Sequence, residues 1–409
     1  MNSVKKVFSI IMLLIFFNIN AQANFVRTGK DNHKAQPGYI STVSEPNVQT
    51  LAISEGKNSR LYSIYHDGLQ YCISAIKLGY SINNSAVFSS CFDSETNVGS
   101  EVIKALTSKN GDRLYLFSKH IISEYSMSPI SNRVNSQISS EHIAQDIIAV
   151  EEFNNKIYVL THEEDSNKGS LIIFTIGSDG ILEKTDSSSL GYSPLGFKFY
   201  ADASFDYVYV RSKEQIYKYD ILNDGTINRS SKLVDYPGNT IKDFGILKDK
   251  DKKTLRMVVA LKNGDSGLSQ GALKLYLLNG AGVRLTSSVN LELEPYQIYA
   301  YDEKQIFLVA YEYSFDIREI NAKTNAIEDK LILQRGVDGS LVNVVCNDKV
   351  TAIISDSAIK VFNGFVLSQA FYLKDKPIQL IFSSDAHFVG VANKDSVDIY
   401  EITAAFDRQ

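Results

Sequence analysis

Tryptophan is absent from the 409 residues, cysteine occurs three times and proline seven times. Neither sign of charge prevails: 42 basic residues stand against 47 acidic ones, for a formal net charge of −5. A broad cationic footprint is therefore missing, and with it the electrostatic basis for a nucleic-acid partner. Three cysteines make a zinc site only with histidine partners. The six histidines (His33, His66, His120, His142, His162 and His387) lie at no metal-ligand spacing. A Gly-x-Ser-x-Gly elbow and a Gly-x-x-x-x-Gly-Lys phosphate loop are both missing, so two common chemistries lack a sequence basis. Beyond the N-terminal segment no apolar run approaches the ~20 residues that span a bilayer. Helical periodicity is also nearly absent. What is present is ordinary globular composition, 44% hydrophobic and 22% charged, too apolar for a disordered chain.

The N-terminus reads as an address. Lys5 and Lys6 precede an apolar run over residues 7–17, interrupted only by Ser9, and Ala21-Gln22-Ala23 then offers a small-x-small cleavage site. A basic flank, a short apolar region and a small-residue exit are the parts of a secretory signal peptide. The alternative, a membrane anchor, needs roughly twice that apolar length. Residues 1–23 are expected to be a signal peptide and 24–37 a polar leader. Residues 38–405 are expected to form a single domain and 406–409 a tail. The expected location is periplasmic or secreted, with no transmembrane segment after cleavage.

Export permits disulfides. Cys72 lies in the strand-like run Leu69-Gln70-Tyr71-Cys72-Ile73-Ser74, and Cys91 in Val87-Phe88-Ser89-Ser90-Cys91-Phe92. A hairpin centred between Ser81 and Ile82 puts the two directly opposite, close enough for a bridge. A Cys72–Cys91 disulfide is the expectation, and two buried thiols are the alternative. Cys346, in Asn343-Val344-Val345-Cys346, reads as an inert thiol on a buried strand.

Short β-branched and aromatic runs recur between clusters of Gly, Asn, Asp and Ser, which reads as many short strands. The same unit returns eight times. Its second strand is the easiest to align: residues 61–64, 114–117, 157–160, 207–210, 257–260, 306–309, 351–354 and 388–391. Third strands follow, such as 171–176, 216–221 and 273–278. First strands begin near Val48, Glu101, Gln145, Leu195, Thr240, Tyr296, Leu341 and Ile378. Such spacing matches the ~40–50-residue period of four-stranded propeller blades. Pro46, Pro194, Pro237, Pro295 and Pro377 each sit shortly before a first strand, where a residue that cannot donate to a ladder is tolerated. Asp179-Gly180 and Asp224-Gly225 follow third strands and supply the positive φ of tight turns. The expected fold is an all-β propeller of eight four-stranded blades, with seven as the alternative count. The unassigned strand at residues 38–43 is expected to complete the last blade and close the ring.

The runs Lys156-Ile157-Tyr158-Val159-Leu160 and Gly169-Ser170-Leu171-Ile172-Ile173-Phe174, with Asp179-Gly180 after them, resemble the lactonase-type (YVTN-like) β-propeller repeat. Tyr207-Val208-Tyr209-Val210 through Asp224-Gly225 repeats the pattern. The likeness covers nearly all of the mature chain as architecture and two or three blades as motif. It implies the propeller fold. The enzyme branch of that family implies a polar site at the channel mouth and a Pro-x-His entry to first strands. No histidine follows any of the five entry prolines here, so no catalytic residue is carried over. The Trp-Asp pair of another propeller class is excluded by the missing tryptophan.

His66 and His120 are expected in strand-connecting turns, and His142 and His162 in loops. His162-Glu163-Glu164-Asp165 is the densest acidic cluster, but it lacks the pattern of an ion-binding loop. Residues 162–169 and 262–271 are expected to be the longest loops on one face, a candidate rim for a partner. Lys104, Lys198 and Lys242, with Asp243, lie on or near first strands lining the channel; the lysines are candidates for anion binding, or else pair with acidic neighbours. No catalytic residue, metal ligand or cofactor is expected. The first functional expectation is an exported propeller that binds a protein or another envelope or extracellular macromolecule, or serves as a scaffold. The alternative is a lactonase-like hydrolase at the channel mouth, and a third reading is a sugar- or ion-binding propeller.

Overall fold

A strand buried on both faces reads as an unbroken apolar run, whereas a strand with one wet face alternates. Each unit of this chain carries both kinds, so its sheets must stack face to face while their outer strands meet water. A computed structural model shows how. It describes residues 39–54, 60–78, 87–92, 101–108, 111–128, 134–248, 255–263, 269–279, 282–301, 305–336, 339–346, 351–363, 366–383 and 387–402. The expected signal peptide, leader and tail lie outside these residues.

The described residues contain strands and no helix, and so none long and apolar enough to cross a membrane. Strand β1 is Tyr39–Ser44. Blade 1 comprises β2 (Val48–Ser54), β3 (Arg60–His66), β4 (Tyr71–Lys77) and β5 (Val87–Phe92). Blade 2 comprises β6 (Val102–Thr107), β7 (Arg113–Ser118), β8 (Ile121–Met127) and β9 (Val134–His142). Blade 3 is β10 (Asp146–Phe153), β11 (Lys156–Glu163), β12 (Lys168–Ile176) and β13 (Leu182–Leu190). Blade 4 is β14 (Gly196–Ala201), β15 (Asp206–Arg211), β16 (Gln215–Ile221) and β17 (Ile227–Asp235). Blade 5 is β18 (Ile241–Lys248), β19 (Leu255–Leu261), β20 (Gly271–Asn279) and β21 (Gly282–Leu291). Blade 6 contains β22 (Gln297–Tyr301), β23 (Ile306–Ala310), β24 (Ser314–Asn321) and β25 (Ala326–Gly336). Blade 7 contains β26 (Leu341–Cys346), β27 (Thr351–Ser355), β28 (Ala358–Asn363) and β29 (Val366–Tyr372). Blade 8 contributes β30 (Gln379–Phe382), β31 (Phe388–Asn393) and β32 (Ser396–Glu401).

Every sheet is an antiparallel four-stranded meander, and the eighth takes its outer strand from the N-terminus in the order β1-β32-β31-β30. Val43 lies opposite Val397 and Ser44 opposite Ser396. Eight blades and terminal closure are thus both present, as the repeat predicts.

The core is divided among the blade interfaces. Eight apolar clusters occur among the described residues, one between each blade and the next. Between blades 1 and 2, for example, Tyr62, Ile64 and Ile73 meet Leu114, Leu116 and Tyr125. The eighth cluster closes the circle, with Leu51, Leu61 and Ile76 of blade 1 against Ala392, Val397 and Ile399 of blade 8. There the sheets approach so closely that a Cβ on Gly390 would lie 2.7 Å from Leu61 Cδ2. Second strands sit in the middle of this packing: all five residues of β23 and of β27 are buried. The fourth strands are wetter, as in β13, where only Leu190 is fully buried.

The expected Cys72–Cys91 bridge is present. The two residues face each other across β4 and β5, with Cα atoms 4.0 Å apart. Cys346 ends β26, and its thiol lies outside the described side chains. Two expectations are corrected. His142 and His162 lie on β9 and β11, not in loops, and His66 is the last residue of β3, not part of a turn. The second and third strands of blade 3 extend to Glu163 and Lys168, which pair, so residues 162–169 form a tight hairpin with only 164–167 between the strands. Residues 163–165, 167 and 168 there are exposed, while His162 is held by Ser193 at 3.0 Å and Gly169 packs against Pro194.

Candidate functional site at the channel mouth

First strands line the central channel, and how each begins decides what faces its mouth. In β2, β6, β10, β18 and β26 the pairing with the second strand skips one residue: Gln49, Ile103, Ile148, Lys242 and Val342 respectively. Such a bulge frees one residue from the ladder and re-aims its side chain. β14, β22 and β30 have no bulge. They are entered instead through Pro194-Leu195, Pro295-Tyr296 and Pro377-Ile378. The residue after each proline still donates its N–H to the second strand, to Arg211, Ala310 and Ala392, at 2.7 Å in all three.

Both devices present side chains to water at the entrance to the first strand, and most of those side chains are apolar. Leu195, Tyr296 and Ile378 are each 48% exposed, Ile103 37% and Ile148 38%. Five blades thus contribute a large, exposed apolar residue at one opening.

Part of this opening deepens into a cavity of about 630 Å³ that spans blades 4 to 7. Leu195, Tyr296, Val342 and Phe197 form its apolar side, and Lys198, Arg211, Lys242 and Asp243 its charged side. The charges are arranged in pairs. Lys198 Nζ lies 3.7 Å from Asp243 Oδ2, and Lys242 Nζ lies 2.7 Å from Glu294 Oε1. Asp243 also accepts the N–H of Ile298 at 2.9 Å, tying blade 5 to blade 6. Lys242 stands 5.1 Å from the Tyr296 ring centroid and Lys198 5.9 Å from that of Tyr299, within reach of cation–π attraction. Arg211 donates to the carbonyls of Ile241 at 2.9 Å and Leu195 at 3.4 Å. Burial pulls this guanidinium below its ordinary range, and the Asp243 charge opposes the shift.

Of the three lysines singled out in the sequence, Lys198 and Lys242 line this cavity together. Lys104 lies two blades away on β6 and pairs with Glu151 of β10 at 3.3 Å. Sequence reasoning missed Arg211, which ends a second strand, where a charged residue carries no special signal. It also missed the apolar rim, although Pro-Leu, Pro-Tyr and Pro-Ile at one phase of the repeat were a readable cue.

No family model matches the chain, and no curated protein matches it. Solved structures do. One described as the Dos1 propeller shares 12% identity with a TM-score of 0.53, over 92% of this chain and 97% of that one. The dihydro-heme d1 dehydrogenase NirN in complex with DHE shares 10% identity with a TM-score of 0.52, over 80% of this chain and 68% of that one. A provisional 6-phosphogluconolactonase from Bacteroides fragilis is matched at 12% identity over 88% of this chain and 95% of that one, with a TM-score of 0.46. At such identities the likeness is one of fold, and the last score is too low to support an argument about activity.

Proposed function

We propose that the chain is an exported binding propeller whose channel mouth docks a protein partner through an apolar segment. The carrying observation is that exposed apolar residues, Ile103, Ile148, Leu195, Tyr296 and Ile378, stand at or just before the start of the first strand in five blades. The cavity beside them receives an anchoring side chain, and the Lys198–Asp243 and Lys242–Glu294 pairs give a polar border. An apolar centre with polar surroundings is the usual anatomy of a protein-binding patch. The disulfide and the N-terminal signature support export.

The test is a photo-crosslinking residue in place of Tyr296, in protein expressed in its own cells. A discrete protein adduct is expected that disappears in Leu195→Asp and persists when Arg229, on the opposite face, is changed. Adducts that ignore Leu195→Asp would refute the reading. Turnover of a sugar lactone by the purified protein, abolished by Lys198→Ala, would replace it with the hydrolase alternative.

A further inference from the structure

Charges in the mouth cavity do not cancel. Lys198, Arg211 and Lys242 line it against Asp243 alone. Lys242 is satisfied by Glu294 at 2.7 Å, and that carboxylate also faces Lys262 Nζ at 4.0 Å. Asp243 is left to serve two cations. Its Oδ2 stands 3.7 Å from Lys198 Nζ and already accepts the N–H of Ile298 at 2.9 Å. Arg211 fares worse. Its guanidinium donates to the carbonyls of Ile241 and Leu195, and no carboxylate lies in contact with it among the described residues. Fewer than half of its N–H donors are therefore used. Gly196 stands opposite Arg211 on β14 and has no side chain to cover it; a Cβ there would lie 3.9 Å from Nη2. A cation stripped of water is normally paired with a counter-charge. Burial disfavours this one, and only the Asp243 charge, out of contact, offsets the loss.

The apolar surface around the cavity is wider than a small molecule needs. Turns between second and third strands lie on the same face as the mouth. Leu69, between β3 and β4, is 86% exposed, and Tyr313, between β23 and β24, is 57% exposed. Contiguous apolar surface of that kind fits a macromolecular partner.

We propose that the segment docked at the mouth is acidic as well as apolar: an aspartate or glutamate side chain beside its apolar anchor enters the cavity and pairs with Arg211 and Lys198. The inference rests on the docking reading above and adds the chemistry of the partner. The planar fork of Arg211 matches a carboxylate, and the loosely held Lys198 supplies a second charge to the same group. The anchor lies on the wall of Leu195, Phe197 and Tyr296. A neutral or basic segment would leave Arg211 without a counter-ion, and a small amphipathic acid would leave Leu69 and Tyr313 uncovered.

The first test is ligand-observed NMR on the full chain, with 4-phenylbutyrate as the probe and 4-phenylbutanamide as its neutral counterpart. Phenylbutyrate is expected to bind with a Kd on the order of 1 mM, in keeping with its size. The amide should bind about tenfold more weakly. Arg211→Gln and, separately, Lys198→Ala, at a side chain 37% exposed, should each bring the acid's affinity toward that of the amide. Arg229→Gln, on the opposite face, should change nothing. The second test uses the crosslinker at position 296. The mapped partner peptide should carry an aspartate or glutamate beside the crosslinked residue, and Lys198→Glu should abolish the adduct. Equal binding of acid and amide, no binding of the acid at about 20 mM, or a mapped peptide without an acidic residue there would overturn the inference, while an adduct lost in Leu195→Asp would still uphold the docking reading. An adduct indifferent to Leu195→Asp would instead remove the docking reading, and this inference with it.

Discussion

Two buried carboxylates show how differently this fold treats a charge. Asp206 of β15 lies 2.7 Å from Lys156 Nζ and 2.7 Å from Asn154 Nδ2, with Tyr158 Oη at 3.2 Å, so the pair staples blade 4 to blade 3. Beside it, burial and the Asp206 charge push the Tyr158 phenol upward. Glu45, on the link between β1 and blade 1, is 3% exposed, and neither of its carboxylate oxygens has a hydrogen-bond partner among the described residues. Burial therefore raises its carboxyl above the ordinary value of 4.5. The folded state holds a proton that the unfolded state releases, so this group's contribution is complete below pH 4.5 and declines as pH rises through the raised folded value. Glu45→Gln is expected to remove that decline, raising the urea midpoint at pH 8 more than at pH 4. Identical pH slopes for the two proteins would show that Glu45 does not titrate as argued. None of this was legible in the sequence: a lone glutamate before Pro46 looks like any solvated turn residue, and only the closing of the ring around it makes it costly.

At the scale of strands, legibility followed burial. Second strands were read correctly because both faces are dry and nearly every residue is apolar. Fourth strands were not aligned, because Leu182–Leu190 and Ile227–Asp235 face water and carry Ser, Asp, Lys and Arg in place of a clean alternation. The site followed the same rule: Lys198 and Lys242 were found through their strands, but the bulge that re-aims Lys242 leaves no mark in composition. The disulfide was legible because hairpin symmetry fixed the register. It binds β5, the outer strand of blade 1, to β4. A bridge closing a loop of this size contributes roughly 3 kcal/mol by restricting the unfolded chain. Reduction, or Cys72→Ser with Cys91→Ser, is expected to cost about that much. Amide exchange should quicken first in β4 and β5. A non-reduced digest should yield a linked Cys72–Cys91 peptide. Free thiols at both positions in exported protein would refute the bridge.

For the whole molecule, a circle of eight interfaces has no weakest edge only while β1 stays in place. Its partner β32 lies more than 350 residues away in the chain, Tyr39 opposite Tyr400. That distance costs less than it looks, because closure entropy grows only logarithmically, about 0.6 kcal/mol per doubling of length. The return is larger: the ladder completes a fourth strand and Val43 packs on the cluster between blades 8 and 1. Without β1, β32 becomes an open edge of unpaired N–H and C=O groups, a template for pairing with a second chain. Removal of residues 39–44 is expected to lower stability by several kcal/mol, a large share of the ~5–15 kcal/mol typical of folded proteins. It should also drive concentration-dependent association, visible as a shift to larger species in size-exclusion chromatography. A synthetic peptide spanning residues 36–46 should restore the melting temperature when added in excess, because the vacant edge selects that strand's register. A truncated protein that melts like the intact one and stays monomeric would show that the last blade does not depend on the N-terminal strand, and the closed ring would lose its energetic basis.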